Sequence, residues 1–292
     1  MSSLWSPSRV SAAHICVLFS LTCTTYAQPI FVAQPRIFPK VTMAGSELRT
    51  IKSASTGRDY DIYIHLPSNY DQDKTKQYPV LYILDGQWDF KLMDSVLGGL
   101  VYDKFVPEMI MVGITYSGEN ADYNSLRAMD YTPIATEQVK GSGGGPKFLQ
   151  FFKTELIPFT EANYRGDSSR RILQGSSYAG LFTLYAMFTD PALFFGYVST
   201  SPAVLYGDRY AFKQEIEYAR THKDLPVRLF LAVGGSEDLT KPVEEFMRTL
   251  QSRRYRGLRL ESRTIEGERH AGNKPEAFNR GLRFLFGDLL VR

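Results

Sequence analysis

The sequence predicts an α/β fold, a mostly parallel sheet with helices on both faces. Strand-like and helix-like segments alternate along most of the chain, the pattern that places parallel strands side by side with crossover helices between them. The runs Tyr78–Leu84 and Met109–Ile114 are too continuously apolar for a one-sided strand, so both of their faces are buried. A chain of 292 residues at 43% hydrophobic content can bury one large core or two modest ones; no internal repeat or interdomain linker interrupts the pattern, and one domain is the simpler count.

In chain order, Leu48–Ile51 and Tyr60–Leu66 alternate as antiparallel strands, with His65 on the polar side as a structural residue. The buried strand at 78–84 ends in Asp85-Gly86, and Gly86-Gln87-Trp88 is expected to be a loop. After the strand at 109–114 the regular pattern fails from Glu119 to Pro146, a long excursion with a Gly-rich tract at 141–145. That tract lacks the Gly-Lys-Ser/Thr ending of a phosphate loop. An amphipathic helix follows over Phe148–Tyr164. Further strands are expected at Phe195–Ser199, Val227–Gly234 and Leu258–Ile265, with a surface helix at Tyr210–Arg220, a helix at Thr240–Arg254 and a terminal helix from Pro275 to Phe286.

The first 27 residues differ in kind. Arg9 is their only charge, Val10 to Cys23 is largely apolar, and Thr25-Tyr26-Ala27 offers small residues for cleavage. We therefore expect a signal peptide over 1–27, a single domain over 28–292, and a periplasmic or secreted product. Ser11, His14, Ser20, Thr22 and Thr24 break the run too often for a membrane anchor, so no stable membrane insertion is expected once the leader is removed. Both cysteines, Cys16 and Cys23, lie in the leader, which leaves the mature chain without disulfide or thiol chemistry. Lys and Arg number 34 against 31 Asp and Glu, and the charges are scattered, so no nucleic-acid partner is indicated.

The chemistry centres on Gly175-Ser176-Ser177-Tyr178-Ala179. Ile172–Gln174 reads as the end of a buried strand, and Leu181, Leu184, Tyr185 and Phe188 recur at helical spacing, so a strand becomes a helix almost without a loop. A serine at that corner is exposed and strained, and the residues two before and two after it, Gly175 and Ala179, must be small. Ser177 is the candidate nucleophile, and the N–H of Tyr178 at the helix start faces the place where an oxyanion would form. Alone, such a pentapeptide is a weak signal that also occurs in ordinary turns. Its context adds the acids Glu237 and Asp238 past one later strand and His270 past the last. Ser, acid, His is the chain order of α/β-hydrolases, with all three at one edge of the sheet.

The chain resembles the putative-esterase family of α/β-hydrolases, which contains enterochelin esterases, esterase D and mycolyltransferases, and is most similar to its periplasmic siderophore-esterase-like members. The likeness spans about Tyr60 to Phe286. It rests on Tyr-Pro-Val-Leu-Tyr-Ile-Leu-Asp-Gly-Gln at 78–87, Asp-Tyr-Thr-Pro at 130–133, Gly-Gly at 144–145, Gly-Ser-Ser-Tyr-Ala-Gly at 175–180, Ser-Pro at 201–202, Val-Gly-x-x-Glu at 233–237 and Glu-Gly-x-x-His at 266–270. The resemblance implies an α/β-hydrolase fold without a large lid domain and a serine esterase that needs no metal or organic cofactor. It implies Ser177 as nucleophile, His270 as base, and Tyr178 and Gln87 as oxyanion donors. For the acid it favours Glu237, whereas general α/β-hydrolase usage favours aspartate and Asp238 is adjacent. Ala179 stands where the family usually has glycine. Trp88, Tyr116 and Tyr206 are expected on loops around a pocket for a small-molecule ester, a siderophore-type ester by resemblance. An acyltransferase with the same triad and a catalytically silent binding protein are the alternatives.

Overall fold

The computed structural model describes residues 42–289; the expected leader, with both cysteines, lies outside them. Eight strands form one sheet: β1 (Ser46–Lys52), β2 (Asp59–His65), β3 (Tyr78–Ile83), β4 (Ile110–Tyr116), β5 (Gly166–Ser176), β6 (Gly196–Thr200), β7 (Arg228–Gly234) and β8 (Arg259–Ile265). Their order is β1-β2-β4-β3-β5-β6-β7-β8. The hairpin β1–β2 is antiparallel and joins β4 antiparallel, while the six strands from β4 to β8 run parallel. β3 and β4 are buried along their whole length, as their unbroken apolar runs require.

Alternation along the strands divides the core between the two faces. Tyr82, Leu173, Tyr197, Leu229 and Leu231 face one layer, and Leu81, Ile83, Ile172, Val198 and Phe230 face the other. The second layer is made by α1 (Gly86–Tyr102) and α8 (Lys274–Phe286), whose Phe90, Met93, Phe278 and Leu282 cover it. The first layer holds α2 (Tyr123–Tyr131), α3 (Gly145–Phe151), α4 (Ile157–Asn163), α5 (Tyr178–Thr189), α6 (Tyr206–Thr221) and α7 (Thr240–Arg253). Every residue of α5 from Ala179 to Phe188 is buried, because this helix packs directly over the centre of the sheet.

Several local expectations are corrected. Gly86-Gln87-Trp88 is the first turn of α1 rather than a loop; a Cβ on Gly86 would stand 3.0 Å from the Gly113 carbonyl carbon, so glycine lets the helix start close against β4. The excursion from 119 to 146 contains α2, whose start is capped by the Asp122 side chain accepting from Ser125 N–H. Its motif residues pack on each other. Gly144 N–H donates to Met129 O and Gly145 N–H to Thr132 O, each at 2.9 Å, and Cβ atoms on these glycines would approach the same two oxygens to 2.8 and 2.9 Å. α6 is kinked after Tyr206 by three residues in left-handed backbone, Gly207, Asp208 and Arg209, so its regular winding starts at Tyr210 as the sequence suggests, and it is half-buried rather than a surface helix, with Ala211, Phe212 and Glu215 buried. His65 pairs with Asp94 of α1, a structural contact.

Between α3 and α4 the helix widens into a π-helical turn, Phe152–Leu156. The wider turn keeps Phe148, Phe151, Phe152 and Leu156 all buried, and it presents Glu155 to the β1–β2 hairpin. There its carboxylate accepts from Ser53 Oγ at 3.2 Å, Ala54 N–H at 3.1 Å and Ser55 N–H at 2.9 Å.

Phe148 is the hub of the aromatic core on this side, with ring centroids of Tyr60, Tyr131, Phe152 and Phe182 at 5.6, 5.4, 5.4 and 5.1 Å. Phe148→Ala should lower the unfolding free energy by about 3–5 kcal/mol, measured by urea titration, because the cavity is walled by rings that cannot collapse into it.

Candidate active site

β5 ends at Ser176 and α5 begins at Tyr178, so Ser177 alone reverses the chain. It does so at φ 64° and ψ −121°, outside the regions that side-chain-bearing residues ordinarily occupy, at a cost of about 1–3 kcal/mol. The neighbouring strand exit holds it there. Ser177 N–H donates to Thr200 O at 3.0 Å, and its carbonyl accepts from Leu181 N–H at 2.9 Å and Ala203 N–H at 3.1 Å. A Cβ on Gly175 would overlap the Ala179 carbonyl oxygen and stand 2.9 Å from the Ala179 methyl group. The missing side chain at 175 is what leaves room for alanine at 179.

Glu237 follows β7 and His270 follows β8. His270 Nδ1 donates to Glu237 Oε2 at 2.5 Å. The other oxygen, Oε1, accepts from Ser201 Oγ at 2.5 Å, Gly234 N–H at 2.7 Å and Asn273 Nδ2 at 3.2 Å. Burial would push this carboxyl up; the hydrogen bonds from His270, Ser201 and Gly234 N–H outweigh it and hold the group below its ordinary value of 4.5. Asn273 is fully buried, and its amide nitrogen is also 2.9 Å from Ser201 Oγ, 3.0 Å from Arg269 O and 3.2 Å from His270 O. One side chain thus secures both the acid and the loop that carries the imidazole. Asp238 is exposed and has no hydrogen bond or ion pair among the described residues, so of the two acids left open by the sequence it is Glu237 that meets His270.

The strand order brings these segments together. Ser176 pairs with Thr200 and Thr200 with Ala232, so the ends of β5, β6 and β7 lie side by side. The turn at 200–203 is shared: its backbone grips Ser177 and its Ser201 hydroxyl grips Glu237. The Ser177 hydroxyl makes no hydrogen bond to His270 in this conformation, and the imidazole, 45% exposed, is open to solvent. Such contacts commonly close only when substrate is bound. A hollow of about 520 Å³ beside the imidazole is lined by Ser236, Glu237, Asp238, Leu239, Arg269 and His270. A larger one of about 610 Å³ lies away from this edge, between Lys104, Phe105 and Arg283 at the far ends of α1 and α8.

Gln87 and Tyr178 lie in the first turns of α1 and α5, where main-chain N–H groups have no acceptor within their own helix, and neither N–H finds one elsewhere among the described residues. Trp88 is 47% exposed, its ring edge-on to Tyr123 at 6.2 Å. Tyr206 stands edge-on to Tyr178 at 5.7 Å and is mostly buried, its hydroxyl donating to Ile134 O at 2.7 Å. Tyr116, expected on a rim loop, is instead the last residue of β4 and buried against Tyr60 at 5.6 Å, because the strand runs further than its apolar stretch. Among the described residues no cluster of His, Cys, Asp or Glu could hold a metal ion.

Sequence reasoning missed Arg127. Its guanidinium binds the buried Asp85 carboxylate through Nε at 2.9 Å and Nη2 at 2.7 Å, and Nη2 lies 3.3 Å from the Ser176 carbonyl oxygen. It sits among the rings of Trp88, Tyr131 and Tyr178 at 5.7, 5.7 and 5.5 Å. Nothing in the local pattern around Arg127 marks it. Ser201 was visible only within the Ser-Pro motif, and Asn273 carried no signal beyond standing three residues after His270.

A strained serine whose surroundings resist its relaxation, with an imidazole–carboxylate pair on the same sheet edge, is arranged for attack on an acyl carbon. Fold and site together define an α/β-hydrolase of the serine-esterase class. The chain belongs to the putative esterase family, whose sequence profile matches residues 53–282, and it is a carboxylic ester hydrolase. It is 29% identical over 264 residues to ferri-bacillibactin esterase BesA of Bacillus subtilis (strain 168), covering 83% of this chain and 90% of that one. To the apo-salmochelin esterase of Escherichia coli O6:H1 it is 30% identical over 217 residues, covering 67% and 66%. The solved structure of an IroE-like serine hydrolase from Shewanella oneidensis superposes with a TM-score of 0.77 at 25% identity, covering 85% of this chain and 82% of that one.

The Glu237 carboxyl also sets a pH dependence. Its folded pKa lies below its unfolded value, so its contribution to stability is full above about pH 4.5 and is lost as pH falls through the lower folded value. The Tm of the wild type should exceed that of Glu237→Gln at neutral pH, and the gap should shrink as pH falls below about 4.5 in a thermal-melt series.

Proposed function

We propose that the chain hydrolyses siderophore-type esters through an acyl-enzyme on Ser177. His270 takes the hydroxyl proton as Ser177 Oγ attacks the ester carbon, and passes that proton to the departing alcohol. The Gln87 and Tyr178 N–H groups receive the carbonyl oxygen as it becomes negative, aided by the positive ends of α1 and α5. Water activated by His270 then attacks the acyl carbon, releasing the acid and returning the proton to Ser177. Glu237 keeps the proton of the resting imidazole on Nδ1, so that Nε2 is the basic nitrogen, and balances the imidazolium charge that forms in each half-reaction.

The observation that carries this reading is the 2.5 Å contact between His270 Nδ1 and a Glu237 carboxylate whose second oxygen is fully engaged by donors. Trp88 and Tyr178, whose rings flank the Arg127 guanidinium beside the serine corner, give this edge an aromatic character suited to an aromatic acyl group. The names of the bacillibactin and salmochelin esterase relatives support a siderophore ester as substrate. A signal peptide over 1–27 would deliver the enzyme to the periplasm or outside the cell, where such esters arrive; among the described residues no helix is long and apolar enough to cross a membrane.

Tri-catecholate lactones and p-nitrophenyl acyl esters assayed on wild type and Ser177→Ala should show a loss of about 10³-fold or more in kcat/KM for the variant on every compound hydrolysed. Turnover by Ser177→Ala equal to wild type would remove the mechanism. In the same assay Glu237→Gln should lose about 10²–10⁴-fold in kcat, while Asp238→Asn stays within about threefold.

A further inference from the structure

Two carboxylates are buried one helical turn apart at the start of α1: Asp85, the N-cap, 1% exposed, and Asp89, 2% exposed. Each is met by one cation, and the cations come from different parts of the site. Arg127 of α2 reaches Asp85 and continues to the carbonyl of Ser176, next to the nucleophile. Lys274 opens α8, four residues after His270, and its Nζ lies 2.8 Å from Asp89 Oδ1. Helix α1, which carries the Gln87 N–H, is therefore fastened to the serine corner on one side and to the histidine loop on the other.

The second fastening lies in a layer that is partly polar. The sheet face turned toward α1 and α8 carries Ile172 and Val198 lower down, and nearer the catalytic edge it mixes Ile83 and Ala232 with the buried polar residues Gln174, Ser176 and Thr200. Among the described residues the side-chain amide of Gln174 and the hydroxyls of Ser176 and Thr200 have no hydrogen-bond partner, and neither do the Gln87 amide and Asp89 Oδ2. Burial pushes the Asp89 carboxyl up, and Lys274 opposes that rise. Taking two charges out of water can cost as much as their attraction returns, so a buried ion pair is weak evidence of a stabilising role. What the pair supplies is a directed contact that holds two segments at one separation.

We propose that Asp89 and Lys274 form a positioning pair for the catalytic base, setting where the His270 imidazole stands relative to the Gln87 N–H and the Ser177 hydroxyl. The proposal rests on the esterase reading given above. It assigns neither residue a contact with substrate.

The test is the double variant Asp89→Leu/Lys274→Met, which fills the space without leaving an unpaired buried charge, assayed with p-nitrophenyl butyrate beside wild type and Ser177→Ala. The expected result is a Tm close to that of the wild type, with kcat lowered about ten- to a hundredfold and KM within about twofold. A double variant with wild-type Tm and kcat within about threefold of wild type overturns the positioning role while leaving the esterase reading intact. Ser177→Ala turning over like wild type removes both. Should the double variant not fold, Lys274→Cys is alkylated, to completion by mass, either with 2-bromoethylamine, which rebuilds a lysine-length cation, or with iodoacetamide, which leaves a neutral group. Recovery of kcat with the first reagent alone supports the pair, and recovery with both or with neither overturns it.

Discussion

The catalytic edge depends on a single backbone constraint, the passage from β5 to α5 through one residue. Ser177 occupies positive φ because Thr200 and Ala203 hold it from the neighbouring turn and α5 cannot move away. The strain of about 1–3 kcal/mol is small beside what the helix gains. Leu181, Phe182, Leu184 and Met187 are each essentially inaccessible, and burying one such side chain is worth about 1.5–3 kcal/mol. Packing of α5 therefore fixes the corner, and the corner fixes the hydroxyl.

The rest of the site is built around that corner by shared contacts. The 200–203 turn serves nucleophile and acid at once, and Asn273 serves acid and base loop at once. Arg127 links the carbonyl beside the nucleophile to the N-cap of the helix bearing an oxyanion donor. Each polar group is held by more than one segment, which is how a set of loop residues acquires the rigidity of the sheet beneath them.

The parallel core was legible because β3 and β4 are buried on both faces and their apolar runs are continuous. The serine corner was legible because strand and helix periodicities meet at Gly175–Gly180 with no room for a loop. What escaped was what depends on distant packing. α2 is short and its apolar residues are interrupted by Asn124, Ser125, Arg127 and Asp130, and its place comes from Tyr131 and Ala128 burying against the core. The first turn of α1 looked like a loop because Asp85-Gly86 reads locally as a turn, and only the closeness of Gly113 shows why the helix starts there. The choice between Glu237 and Asp238 could not be made from spacing, since adjacent residues after a strand differ only in direction. Arg127, Ser201 and Asn273 act through contacts across 36 to 72 residues of chain, which no local pattern records.

The π-helical turn at Phe152–Leu156 ties the outer hairpin to the aromatic layer through Glu155. A segment held by an extra residue in its winding is sensitive to length in a way that composition does not reveal. Deleting one residue there would restore ordinary winding with the flanking turns nearly in register, and the change would fall on which side chains the turn itself presents. The carboxylate would swing off the hairpin even though every remaining side chain was conserved. Within this family, gaps at that point should be rarer than substitutions, and a sequence lacking the residue would be expected to rebuild the hairpin turn as well.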